Sequence, residues 1–157
     1  MTDKFTPPPA AANPFAEQLT AHGIPERHHQ LFAEHGVGPL AVKLGIVFTE
    51  FGTERLTATM PVEGNQQVYG ILHGGASVAL AETLGSFAAA AHAGPGRHAV
   101  GVDISATHHR PGVAGLVTGV CTPLHLGRKV ATHEIVITND AGKRLCTARI
   151  TNLLLDD

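Results

Sequence analysis

A single acid, Glu82, sits in a stretch otherwise rich in small apolar residues, Gly74 to Ala93. Burying a lone carboxylate is costly, so Glu82 must be paired or put to use. Eight residues before it comes His73-Gly74-Gly75. If a helix begins there, its first backbone N–H groups are free and attract negative charge. An unpaired acid and an oxyanion site on one element suit chemistry in which an oxyanion develops. A basic group follows: His108, His109 and Arg110, then His125, Arg128 and Lys129 around Gly127. In a weakly charged chain, such a group could hold ligand phosphates.

Other chemistries are disfavoured. The Gly-Gly of the HGG run lacks the context of a phosphate loop, and no dinucleotide fingerprint occurs. No GxSxG elbow marks a serine hydrolase. Eleven histidines in 157 residues raise the question of metal. Yet His108 and His109 are adjacent, and neighbours on a strand face opposite sides. His28 and His35 have no Cys or Asp partner nearby, so no metal is expected.

A net charge of -2 with 15% charged residues leaves no basic footprint for nucleic acid. Two cysteines, Cys121 and Cys146, are too few for a disulfide framework and suit a reducing cytosol. The first residues lack the apolar core of a secretion signal. A cytoplasmic protein away from membranes is expected.

The element carrying Glu82 reads as one helix of about five turns from Gly74, stopped by Gly94-Pro95. It is apolar on every face, so other layers must wrap it. Residues 1–37 read as a Pro- and Ala-rich tail and two short helices, Asn13–His22 and Pro25–His35. Pairs such as Phe15/Leu19 and Leu31/Phe32 make them a lid or side wall. Residues 38–157 form the main domain. Strand alternation begins near Pro39 with Val42, Leu44, Ile46 and Phe48, and a second run covers Arg55–Met60. Four more runs follow at about 98–109, 115–125, 129–138 and 144–155, joined closely enough for an antiparallel meander. The class is therefore α+β, with a six-stranded antiparallel sheet curved around one long helix. A second copy related by a two-fold axis would cover the helix's far side.

Four runs converge on a known family: Gly-Ile-Leu-His-Gly-Gly-Ala-Ser (70–77), Ala-Glu-Thr-Leu-Gly-Ser (81–86), Ala-Thr-His-His-Arg-Pro (106–111) and Pro-Leu-His-Leu-Gly-Arg (123–128). Together they resemble the hotdog-fold acyl-CoA thioesterases, nearest to the glutamate-type 4-hydroxybenzoyl-CoA and enterobactin proofreading branch. The likeness covers about residues 40–155 and leaves out the first 35 or so. It implies hydrolysis of an acyl- or aroyl-CoA thioester to acid and CoA, with no metal or redox cofactor. It implies that Glu82 acts as nucleophile or as base for water, and that the Gly74 N–H holds the thioester oxygen. Gln67 and His73 would orient the thioester, and Ser86 would position the carboxylate or the water. His108, His109, Arg110 and Pro111, with His125, Leu126, Gly127 and Arg128, match places where CoA lies.

Spacing adds a constraint. Gly74 and Glu82 stand about 12 Å apart along a helix, whereas an attacker must come within about 3–3.5 Å of the carbonyl carbon. Two antiparallel helices across a dimer axis would bring Gly74 of one chain beside Glu82 of the other. The resemblance implies the same shared sites and adds that such dimers pair into tetramers. Small residues at Ala79, Thr83 and Ser86, with a partner's loop near Val68 and Tyr69, leave the acyl group open. Alternatives are hydrolysis from an acyl or aryl carrier protein, a non-catalytic acyl-CoA-binding protein, and a hotdog dehydratase or hydratase.

Overall fold

The computed structural model describes residues 12–157. The expected tail falls largely on residues 1–11, outside the described residues. Next come a short helix, α1 (Ala16–Ala21), and a 3-10 helix, Glu26–Phe32. The second is shorter and tighter than the helix read from the sequence. Both pack on the main domain: Leu19, Ile24 and Val37 are buried in its core. Phe32 stacks on Phe87 with ring centroids 4.4 Å apart, and Phe48 joins at 4.9 Å. These rings make the segment a side wall of one end of the core.

The strand expected from Pro39 is instead a helix, α2 (Pro39–Leu44). Proline at its first position and Gly45 in the left-handed conformation at its end (φ 68°) are ordinary helix punctuation. Leu40 and Val42 point to solvent, so the apolar alternation there did not mark a buried face. The strand β1 starts only at Val47 (Val47–Phe51) and pairs with β2 (Leu56–Pro61).

Helix α3 spans Gly74–Ala93 and ends at Gly94, as the sequence predicts. Its buried face carries Ala76, Ser77, Leu80, Ala81, Leu84, Gly85, Ala88 and Ala89. Glycines let the helix lie close on the sheet. A β-carbon on Gly85 would collide with the Ile150 side chain, and one on Gly119 with Leu84. The opposite face, with Val78, Ala79, Glu82, Thr83 and Ser86, is only half-buried. That face is the one the sequence expected a second copy to cover.

Strands β3 (Arg97–His108), β4 (Leu116–Leu126), β5 (Val130–Asn139) and β6 (Arg144–Asp156) complete a curved antiparallel sheet of order β1-β2-β4-β5-β6-β3. The four are therefore not a simple meander. Tight turns at Gly127 and Asn139–Gly142 pair β4 with β5 and β5 with β6. The helix, however, delivers the chain to the far edge, where β3 pairs with β6. The connection 109–115 then returns to β4 beside β2. On its way it meets the loop before α3, where Leu72 N–H donates to Gly112 O at 2.8 Å.

Candidate active site

The start of α3 is built by short-range hydrogen bonds. His73 is the N-cap, its Nδ1 accepting the Gly75 N–H at 2.8 Å. An amide can only donate, so Nδ1 is unprotonated and the ring hydrogen sits on Nε2, free to donate outward. Asn65 anchors the loop behind, accepting the His73 N–H and donating to Leu44 O and Pro61 O. The Gly74 N–H has no acceptor among the described residues. Gln67 Oε1 accepts the Tyr69 N–H at 2.7 Å, which holds the side chain against its own loop.

Of these residues Gln67 and Gly74 line a cleft of about 500 Å³, and His73 does not. Gln67, Gly74, His108, His109, Arg110 and Pro111 line it, so six of the residues singled out in the sequence meet here. His108 faces Gly74, whereas His109 Nε2 reaches Thr147 Oγ1 at 2.9 Å. Both imidazoles border the cleft, but they make different contacts. Arg110 is tied to β6 through Nη1 and the Arg144 carbonyl at 2.9 Å. Among the described residues no three His, Cys, Asp or Glu side chains gather as a metal set.

Glu82 lies elsewhere. It is half-buried near the middle of α3 and makes no hydrogen bond or ion pair with any described residue. Its Oε1 lies 2.9 Å from where a β-carbon on Gly101 of β3 would stand. Ser86 follows one turn later, also half-buried, while the Thr83 hydroxyl is spent on the Ala79 carbonyl at 2.8 Å. One chain thus holds its acid and its free helix N–H apart, as the spacing predicts.

The second basic group is separated from the first. His108 is level with Cys146 and, across β5, with Gly119; His125 is level with Thr132 and Thr151. His92, near the end of α3, reaches the Gly127 carbonyl at 3.0 Å. Gly127 therefore sits about 30 Å of helix away from Gly74. Arg128 and Lys129 line a cleft there with Arg97 and Asp156. The cluster read from the sequence is two clusters in one chain, because β3 and β4 run antiparallel and their last residues, His108 and Leu126, lie at opposite ends of the sheet.

Sequence reasoning missed Ser77, Gly112 and Leu145 in the first cleft and Arg97 in the second. Ser77 stands one turn after Gly74, a hydroxyl among small apolar residues, which is a usable signal. Arg97 donates to the Arg128 carbonyl at 2.6 Å and pairs with Asp156 at 2.9 Å, bracing the turn. Only the β3–β6 pairing reveals that role.

Neither cysteine is a candidate nucleophile. Burial pushes the Cys121 thiol up to about 12 and raises that of Cys146. Among the described residues, two buried polar side chains, His133 and Asn152, have no hydrogen-bond partner. Burial, with His92 nearby, pushes His133 down to about 4. No helix among the described residues is long and apolar enough to cross a membrane.

Comparison with known proteins agrees with this architecture. Residues 69–146 match the family model described as the thioesterase superfamily. The proofreading thioesterase EntH of Cronobacter sakazakii is 49% identical over 133 residues, covering 83% of this chain and 97% of the relative. Its counterpart in Cronobacter turicensis is 48% identical over the same shares. Among solved structures, a thioesterase from Haemophilus influenzae is 40% identical with a TM-score of 0.73, covering 81% of this chain and 87% of that one. One from Pseudomonas aeruginosa is 36% identical with a TM-score of 0.75, covering 90% and 94%. By this likeness in sequence and fold, the chain belongs to the thioesterase superfamily, whose reaction is hydrolysis of a thioester.

Proposed function

We propose that this protein hydrolyses acyl- or aroyl-CoA thioesters, in sites shared between two copies of the chain. The single observation that carries the reading is the free Gly74 N–H at the base of the cleft, with Glu82 outside that cleft. The N–H polarises the thioester carbonyl. The Nε2–H of His73 and the Gln67 side chain orient the thioester beside it. The partner's helix, running antiparallel, would supply Glu82 as nucleophile on the carbonyl carbon or as base for water, with Ser86 fixing that carboxylate or the water. The thiolate leaves and takes up a proton as CoA; where Glu82 attacks, water then cleaves the acyl anhydride so formed, and by either route the acid is released. The reading needs no metal or redox cofactor.

The same two-fold arrangement supports a composite nucleotide site. It would bring the His125–Arg128 end of one helix toward the His108–Pro111 end of the other. Two features favour such a partner. Strand β3 has an unpaired outer edge, a ready template for another strand. Val68 and Tyr69 are 94% and 86% exposed at a loop tip beside the cleft, where a partner's helix would cover them. A dimer of dimers is the assembly this reading expects, in the cytoplasm, where free Cys121 and Cys146 stay reduced.

A second reading has its own support: two relatives matched over 97% of their length are named proofreading thioesterases. A carrier protein would then present the same pantetheine arm. The experiment is a thiol-release assay on a panel of CoA esters beside the same acyl groups on carrier proteins, with dehydratase products followed in parallel. Faster release from CoA esters across the panel supports the first reading. A consistent preference for carrier-bound esters replaces it with the second, and release from neither leaves a binding protein.

A further inference from the structure

Asn152 is fully buried on the helix-facing side of β6, and neither its Nδ2 nor its Oδ1 has a hydrogen-bond partner among the described residues. Buried amides are almost always satisfied, so an orphan at full burial calls for a physical reason. Across the β6–β3 ladder Asn152 is the direct neighbour of Gly101. Gly101 adjoins the irregularity at Gly101/Asp103 in that ladder. A β-carbon on Gly101 would stand 2.9 Å from Glu82 Oε1 and 3.7 Å from Asn152 Nδ2. The missing side chain therefore leaves acid and amide on either side of one empty position. They are no farther apart than the sum of those two distances, a gap that rotation of the flexible Glu82 side chain narrows.

We infer that Asn152 is a positioning residue, whose Nδ2–H holds the Glu82 carboxylate across the position left empty by Gly101. The inference rests on Glu82 being the reacting acid, as proposed above. A carboxylate on a half-exposed helix face can rotate; an amide donor from the sheet below fixes one oxygen and turns the other toward the substrate. Catalytic hydrogen bonds in unliganded enzymes are often long and tighten in the substrate complex, which fits an orphan amide at this distance. The geometry also explains why β3 carries glycine at 101, since any side chain there would displace Oε1.

Asn152→Leu tests this, because leucine is close in size and removes two unsatisfied polar atoms. Stability should hold or rise, as it does when an unpaired buried group becomes apolar. The kcat should nonetheless fall about tenfold or more, the worth of a hydrogen bond to a charged group, with KM within about twofold. In a Glu82→Gln background the same change should lower the residual rate no further, since the two act as a unit. Asn152→Ala is measured in parallel in case leucine is not accommodated. Gly101→Ala, at an exposed edge-strand position, attacks the contact from the other side and should reproduce the kcat loss. If Glu82→Gln is inactive while the Asn152 variants and Gly101→Ala keep wild-type kcat, Asn152 is structural and the inference fails alone. If Glu82→Gln itself stays active, the reading of Glu82 fails first.

Discussion

The imidazole of His108 stands over the first residue of α3: a β-carbon on Gly74 would lie 2.9 Å from His108 Nε2. Alanine at 74 keeps both the N–H and the helix, but its methyl must push the imidazole aside. Gly74→Ala should lower kcat/KM about tenfold or more, in line with losses at oxyanion sites, without changing the melting temperature. A fully active variant would show that turnover does not need the His108 imidazole where it stands over Gly74.

Glu82→Gln keeps the shape and removes the charge. Steady-state kinetics should show kcat lower by about a thousandfold or more with KM near normal, because an essential nucleophile or base is lost. A variant keeping more than about a tenth of wild-type kcat would make Glu82 structural.

Arg128 tests the nucleotide site. Its side chain is exposed on a turn braced by Arg97, so truncation should leave the fold intact. Arg128→Ala should raise KM for CoA esters about threefold to tenfold, as loss of one phosphate contact would, and leave pantetheine-truncated thioesters unaffected. Equal losses on both substrates would move the phosphates elsewhere.

Much of this was legible in the sequence, for identifiable reasons. Helix α3 announces itself through alanine content and the Gly94 stop, both local signals. His73 and Gly74 follow from it. The strands β4, β5 and β6 follow from alternation and tight turns. By contrast, Pro39–Leu44 misleads because apolar residues at 42 and 44 mimic a strand, while Gly38-Pro39 and Gly45 mark a helix. The place of β3 beside β6 is not local at all, since it depends on where a long helix sets the chain down. That one pairing sets Gly101 beside Asn152, next to Glu82. Asn152 itself carries no motif, and only burial and register reveal it.

His133 predicts an acid-sensitive fold. In the native state it takes a proton only near about 4, against the ordinary value of 6.5. Between those values the unfolded chain binds more protons, so this contribution is complete above about 6.5 and lost as pH falls toward 4. The slope is about 1.4 kcal/mol per pH unit at most from one such group. His133→Leu removes the buried titration and two unpaired nitrogens. Urea midpoints of the variant should match or exceed wild type at pH 7 and fall less between pH 6.5 and 4. Identical slopes for both proteins would assign the acid sensitivity to other groups.

The shared site admits a direct test, because Gly74 and Glu82 lie apart on one helix. Two inactive proteins are needed: Glu82→Ala, and Gly74→Pro, which removes the N–H at a first helical position that tolerates proline. The nearest atoms to a β-carbon at 74 belong to the movable His108 side chain. Unfolded and refolded together in equal amounts, about half the dimers are mixed by random pairing. If each site takes Gly74 from one chain and Glu82 from the other, a mixed dimer holds one doubly damaged site and one intact site. The mixture should recover about a quarter of wild-type activity, half the dimers with half their sites. If both groups came from the same chain, every site in the mixed dimer would carry one lesion and activity would stay at background. Each variant alone must refold to the wild-type oligomer, since a misfolded partner would also give silence. With that control met, background activity in the mixture would confine each site to one chain and refute the antiparallel helix pair.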